Sequence, residues 1–232
     1  MSGNGTPFEV AGLLGGSFDP VHEGHLRIAA EVRRRLGLQR ALLMPAARPP
    51  HKLRAELSPA HHREAMLRLA IRGREGLEIS TIELETGGVC YTIDTLRRLR
   101  DGEVACQAVF IMGMDSLQQI TTWWKWRELI DEFDLAVIER AEDGAPPDRE
   151  LHPEVVARLV TLAAPPSEEP PLARLRVGRG GRVFRLSIPP IPISSSAIRA
   201  RVRAGSDLGG LVPPAVARYI HRSGLYRQEN DH

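Results

Sequence analysis

The sequence predicts an α/β protein built on a mostly parallel sheet with helices on both faces. Three observations carry that reading. Apolar strand-like runs alternate with helical patterns over residues 8–140, and such alternation yields parallel strands joined by right-handed crossovers. Gly15, Pro45 and Gly113 each stand just after one of those runs, where an open α/β sheet places its ligand crevice. At 232 residues the chain can bury a substantial core as one large domain.

Residues 10–14 read as the first strand, which leads into Gly15-Gly16 and a proline-containing turn; after His25, the positions Leu26, Ile28, Ala29, Val32 and Leu36 fall at helical spacing. Residues 40–44 read as a second strand, ended by the proline-rich loop 45–52. Ser58 and Pro59 have the character of an N-cap and a first-turn proline, opening a helix with apolar positions Ala65, Met66, Leu69 and Ala70. Residues 77–84 alternate as a strand, 92–99 are helical and 104–112 form the most apolar strand. A helix around 123–130 and a strand at 135–138 follow. Residues 141–188 read as a loop-rich connection, polar and rich in proline and glycine, and 189–232 as a small helical C-terminal part. The glycines within 177–182 lack GxGxxG spacing and give no nucleotide signal.

Composition narrows the function. A formal net charge of +2 argues against a dedicated nucleic-acid binder, and Arg33-Arg34-Arg35 reads as a solvated helix face. Cys90 and Cys106 stand alone, without metal-ligand spacing or a disulfide framework. No apolar run approaches the roughly 20 residues that cross a bilayer, so a cytoplasmic protein is expected. His61-His62 lacks partners at metal-ligand spacing, and neither a Walker A sequence nor a nucleophile elbow is present. No protein-bound metal is expected.

Five segments carry chemistry. In Gly15-Gly16-Ser17-Phe18-Asp19-Pro20-Val21-His22-Glu23-Gly24-His25, a glycine turn between strand and helix lets a nucleotide approach the backbone, and the helix start favours a phosphate. His22 and His25, three apart, share a face and can address one anion. Ile193-Ser194-Ser195-Ser196-Ala197-Ile198-Arg199 is a second helix start, with Arg199 adding a fork of charged donors. Residues 45–52 place His51 and Lys52 on a loop facing the same cleft. Gly113-Met114-Asp115 turns the chain after the most apolar strand. Finally, Trp123-Trp124-Lys125-Trp126 pairs a core residue, Trp126, with aromatics that could stack on a flat heterocycle.

The first segment resembles the HxGH signature of the nucleotidyltransferase superfamily, and GGSFDPVHEGH is similar to the form found in nicotinate-nucleotide adenylyltransferases. ISSSAIR is similar to that family's ISSTxIR, with Ser196 for threonine; PAARPPHK to PxxxPPHK; GMDSL to GxDxL; and CYTIDTL to SYTxxTL, with Cys90 for serine. Gly210 to Pro213, Tyr219-Ile220 and Leu225-Tyr226 also look familial. The resemblance implies a Rossmann-like nucleotidyltransferase fold with a phosphate-binding helical C-terminal part. It further implies transfer of AMP from ATP to nicotinate mononucleotide, with Mg²⁺ carried by the triphosphate. It assigns ATP to Gly15, Gly16, Ser17, Phe18, His25, Gly113, Asp115, Ser195, Ile198 and Arg199, catalysis to His22, His25, Lys52 and Arg199, and the mononucleotide to Ser17, Lys52, Thr92, Trp123 and Trp124. Trp123 would stack on the pyridine, while Thr92 and the Trp124 backbone N–H would meet the carboxylate. Another HxGH enzyme, such as phosphopantetheine adenylyltransferase, and a module that binds ATP without turnover are the rival readings. Homo-oligomer formation is left open.

Overall fold

The computed structural model describes residues 9–47, 57–102, 106–140, 150–162, 180–189 and 191–227. The strands are β1 (Glu9–Gly16), β2 (Arg40–Pro45), β3 (Leu77–Ile79), β4 (Cys106–Gly113), β5 (Asp134–Arg140), β6 (Leu159–Thr161) and β7 (Val183–Ile188). The helices are α1 (Glu23–Leu36), α2 (Ala60–Ile71), α3 (Ile82–Thr86), α4 (Thr92–Asp101), α5 (Met114–Gln118), α6 (Trp126–Glu132), α7 (Pro153–Val156), α8 (Ser195–Arg203) and α9 (Pro214–Arg222). The sheet runs β3-β2-β1-β4-β5-β7-β6, and every described pairing is parallel. From β1 the chain winds outward through β2 and β3, then returns to place β4 on the other side of β1. That reversal opens a crevice at the carboxyl ends of β1 and β4.

Both sheet faces are buried, as a parallel sheet requires. Alternate residues of β1 separate accordingly: Leu14 joins the core under α1 and α2, with Leu26, Val32 and Met66, whereas Leu13 joins the opposite core, with Leu96 of α4 and Leu129 of α6. The helical spacing expected after His25 is met by α1, whose Leu26, Ala29, Val32 and Leu36 are buried. Trp126 and Ile130 share the second core.

Five expectations need correction. Arg35 does not share the solvated face read for residues 33–35: it is buried and pairs with Glu31 at 2.8 Å. Gly15 and Gly16 are the last residues of β1, not a turn; the reversal follows at 17–20, where Phe18 takes φ +48°. Gly16 answers to close packing instead, since a Cβ there would meet the Phe18 ring at 3.3 Å, whereas one on Gly15 would make only ordinary contact at 3.5 Å. Pro59 is itself the N-cap of α2, and the buried face is Arg63, Met66, Leu67 and Ala70, displaced from the apolar stripe because Arg63 finds partners inside. Residues 77–84 do not continue as one strand: Ser80 N–H donates to Leu43 O, and α3 then forms around Glu83, whose carboxylate accepts from Thr95 Oγ1 at 3.0 Å. The 141–188 region is not a loop throughout. β7 lies inside the sheet with Val183, Phe184, Leu186 and Ile188 buried, and its charged Arg185 pairs across to Glu139 of β5 at 2.8 Å. Among the described residues no helix is long and apolar enough to cross a membrane.

Candidate active site

The two histidines sit at the start of α1, above the carboxyl end of β1. His22 is the N-cap, with extended backbone (φ −142°, ψ 168°), and His25 is the third helical residue. The His22 backbone N–H donates to His25 Nδ1 at 3.3 Å, which leaves the ring proton of His25 on Nε2. The rings stack at 3.6 Å between centroids and 24°, and the Phe18 ring meets His25 edge-on at 4.8 Å. Burial, with only 7% of His22 exposed, pushes its pKa down to about 4. It is a neutral imidazole at neutral pH, and its Nδ1 has no hydrogen-bond partner among the described residues. The helix start contributes fewer amides than the sequence suggests. Glu23 N–H donates to Leu211 O at 2.9 Å and His25 N–H to His22 O at 3.0 Å, so imidazoles take the leading place. Gly24 between them has no room for a side chain: a Cβ would lie 2.9 Å from His22 Nδ1.

Opposite stands α8. Ser194 is its N-cap, accepting from Ala197 N–H at 3.2 Å. Ser195 Oγ donates to Pro20 O at 2.9 Å, and Arg199 Nη1 donates to Asp19 O at 2.6 Å. Both side chains are thus docked on the 17–20 turn, and Arg199 retains further donors for a ligand. The resulting cavity, about 610 Å³, is lined by Gly16, Ser17, Phe18, His22, His25, Ser194, Ser195, Ser196 and Arg199. Two helix starts from distant parts of the chain therefore border one cavity, α1 through its imidazoles and α8 through its serines and Arg199. Ile198 does not line it: the side chain is wholly buried, and its N–H closes a helical bond to Ser194 O at 3.0 Å.

A second cavity of about 400 Å³ begins where the first ends, sharing Gly16 and Ser17, and is walled by Gly15, Cys90, Tyr91, Thr92, Trp123 and Trp124. Thr92 is the first residue of α4, so that helix turns its positive end toward the cavity. Trp123 is fixed edge-on to Phe110 at 6.1 Å. Trp124 remains 55% exposed, with Tyr91 at 5.8 Å. Burial raises the Cys90 thiol pKa and the Glu83 carboxyl pKa. Gly113 and Asp115 occupy the end of β4 and the first turn of α5, and neither is among the lining residues of either cavity. Lys52, like His51, lies outside the described residues.

Two buried charged residues, Asp19 and Arg63, and the partly buried Tyr226 were given no role from sequence. Asp19 accepts from Tyr226 Oη at 2.6 Å and from Ser58 N–H at 3.1 Å. Arg63, 2% exposed, donates Nε to Ser58 O at 3.0 Å and Nη1 to Ser17 O at 3.1 Å and Ala46 O at 2.8 Å. An arginine in the first turns of a helix carries no sequence signal of this kind. Tyr226 does lie in a familial segment. Among the described residues no group of three or more His, Cys, Asp or Glu could hold a metal ion.

Fold and site together define a nucleotidyltransferase, and residues 13–201 match the cytidylyltransferase-like family. A probable nicotinate-nucleotide adenylyltransferase of Bordetella petrii is 41% identical over 93% of this chain and 98% of its own length. One of Aeromonas hydrophila is 40% identical over 93% and 96%. The chain belongs to the nicotinate-nucleotide adenylyltransferase family. In fold it is similar to the Plasmodium falciparum nicotinic acid mononucleotide adenylyltransferase complexed with NaAD, at a TM-score of 0.66 and 19% identity, covering 94% of this chain and 97% of that one.

Proposed function

We propose that this enzyme transfers AMP from ATP to nicotinate mononucleotide, releasing pyrophosphate and giving the deamido form of NAD. The observation that carries the reading is the meeting of two cavities at Gly16 and Ser17: one between two helix starts with paired imidazoles, the other walled by tryptophan and a helix N-terminus. The first suits a triphosphate, the second an aromatic acid. Phosphopantetheine, which has no aromatic ring for Trp123 to stack on, fits the second cavity less well.

The attacking group is the 5′-phosphate of the mononucleotide, already an anion, so the step needs no general base. Bringing two anions together makes positioning and charge stabilisation the main tasks. A His22 held neutral by burial suits that demand, since it need only donate. His25, with its proton on Nε2, is assigned to a non-bridging oxygen of the α-phosphate. Arg199, the Ser195 end of α8 and Lys52 are assigned to the departing pyrophosphate. Thr92, Trp123 and the Trp124 backbone are assigned to the nicotinate ring and its carboxylate. Mg²⁺ that binds through the triphosphate and its own waters needs no dedicated protein cluster; when bound it neutralises part of the phosphate charge. Both cavities draw on residues from 15 to 199, and we read them as one nucleotidyltransferase domain working in the cytoplasm.

The test is direct. Purified protein with ATP, Mg²⁺ and nicotinate mononucleotide should release pyrophosphate, with slower turnover of the amide mononucleotide and none of phosphopantetheine. Binding of ATP without pyrophosphate release would overturn the assignment.

A further inference from the structure

We propose that Arg63 and Tyr226, which line neither cavity, are positioning residues that hold the 17–20 turn from its buried side in the geometry adenylyl transfer requires. The inference rests on the proposed function and adds to it two residues that lie outside each substrate-binding motif.

Arg63 projects from α2 into the interior, and its guanidinium joins three segments. Nε takes Ser58 O at the entry to α2, and Nη1 takes both Ser17 O after β1 and Ala46 O after β2. Ser17 borders both cavities and Ala46 borders the aromatic one. One buried group therefore fixes the spacing of the two loops between which the reacting phosphates must meet. Planar trans peptides transmit that control: with its carbonyl drawn toward Arg63, the Ala46–Ala47 peptide turns the Ala47 N–H the other way, to the Glu83 carboxyl in the wall of the aromatic cavity.

Tyr226 secures the same turn from the C-terminal side. Its hydroxyl donates to Asp19 Oδ1 at 2.6 Å, while the Asp19 backbone carbonyl receives Arg199 and the next carbonyl, of Pro20, receives Ser195. Asp19 also supplies the negative charge that compensates buried Arg63. Tyr226 holds φ +64°, a conformation that non-glycine residues keep only where surroundings impose it. The turn is thus clamped on its far side by Arg63 and Tyr226, and on its cavity side it carries both arms of the triphosphate site.

The closing experiment compares wild type, Arg63→Lys and Tyr226→Phe at a temperature well below the melting transition of each, with kcat and both KM values measured. Displacement of reacting groups by an ångström reduces rate by roughly 10²-fold. Arg63→Lys, which keeps charge but not the fork, should lower kcat by about 10²-fold, and Tyr226→Phe, which removes one hydroxyl, by about tenfold. Both KM values should stay within about threefold, because loss of alignment is felt in the transition state more than in binding. If Arg63→Lys does not fold, Tyr226→Phe decides alone. A Tyr226→Phe protein that melts earlier but turns over at the wild-type kcat overturns the proposal and leaves the assigned reaction standing. A wild type that releases no pyrophosphate overturns the assigned reaction itself.

Discussion

Replacing Gly24 by alanine separates catalysis from stability. A Cβ at this position would lie 2.9 Å from His22 Nδ1, 3.0 Å from His22 Cε1 and 3.3 Å from Ile191 Cγ2. Moving the closest contact from 2.9 Å to 3.4 Å, the short end of ordinary contact, requires a shift of about 0.5 Å in a packed interior. The group that must give is the His22 ring, which is buried and stacked on His25 at 3.6 Å; moving it disturbs the second imidazole as well. A full ångström of misplacement lowers rate by about 10²-fold, so half of that lowers it by about tenfold, and outright loss of one donor by about 10²–10³. Alanine is meanwhile the better helix former by up to about 1 kcal/mol, which offsets the contact strain. Gly24→Ala should therefore lose about tenfold or more in kcat, read as pyrophosphate release, while its unfolding free energy from urea titration stays within about 1 kcal/mol of wild type. A variant that is equally stable and retains kcat within threefold would refute the claim that the His22 ring position governs the reaction.

Three further outcomes are expected. His22 has a folded pKa of about 4 against 6.5 when unfolded, so its contribution is fully present above pH 6.5 and is lost as pH falls. Stability should drop by about 3 kcal/mol between pH 7 and pH 4 on this account, and His22→Asn, followed by denaturant titration across that range, should show a shallower fall; equal slopes would contradict it. Trp123→Ala should raise KM for the mononucleotide by about tenfold while leaving KM for ATP within twofold, since stacking contributes about 0.5–1.5 kcal/mol beyond area; steady-state kinetics in both substrates check this. Arg199→Lys keeps charge but loses the planar fork that reaches Asp19 O and Ser196 Oγ, and should reduce kcat with ATP by about 10–100-fold.

How far the molecule could be read from its sequence depends on whether each signal is local. The apolar spacing of α1, the serines of α8 and the strand before Gly113 are local patterns, and they identify their elements. β7 has alternating apolar residues too, but proline, glycine and charge surround it, and Arg185 within it is tolerated only because Glu139 stands on the neighbouring strand. No window of sequence contains that partner. The same holds at the site. His22, His25, Ser195, Arg199, Thr92, Trp123 and Trp124 announce themselves by motif, and the fold brings them to two adjoining cavities. Ile198 belongs to the motif yet serves the core. Arg63 is invisible because its three carbonyl acceptors come from residues 17, 46 and 58, which meet only after the sheet has formed.

The central claim concerns where the imidazoles stand relative to the innermost phosphorus. A crystal structure with a non-hydrolysable ATP analogue and nicotinate mononucleotide bound measures that arrangement. The account predicts His25 Nε2 at about 2.7–3.2 Å from an α-phosphate oxygen, with Arg199 and Ser195 on the β and γ phosphates. A triphosphate lying elsewhere, with both rings beyond hydrogen-bond reach of its α-phosphate, would contradict it.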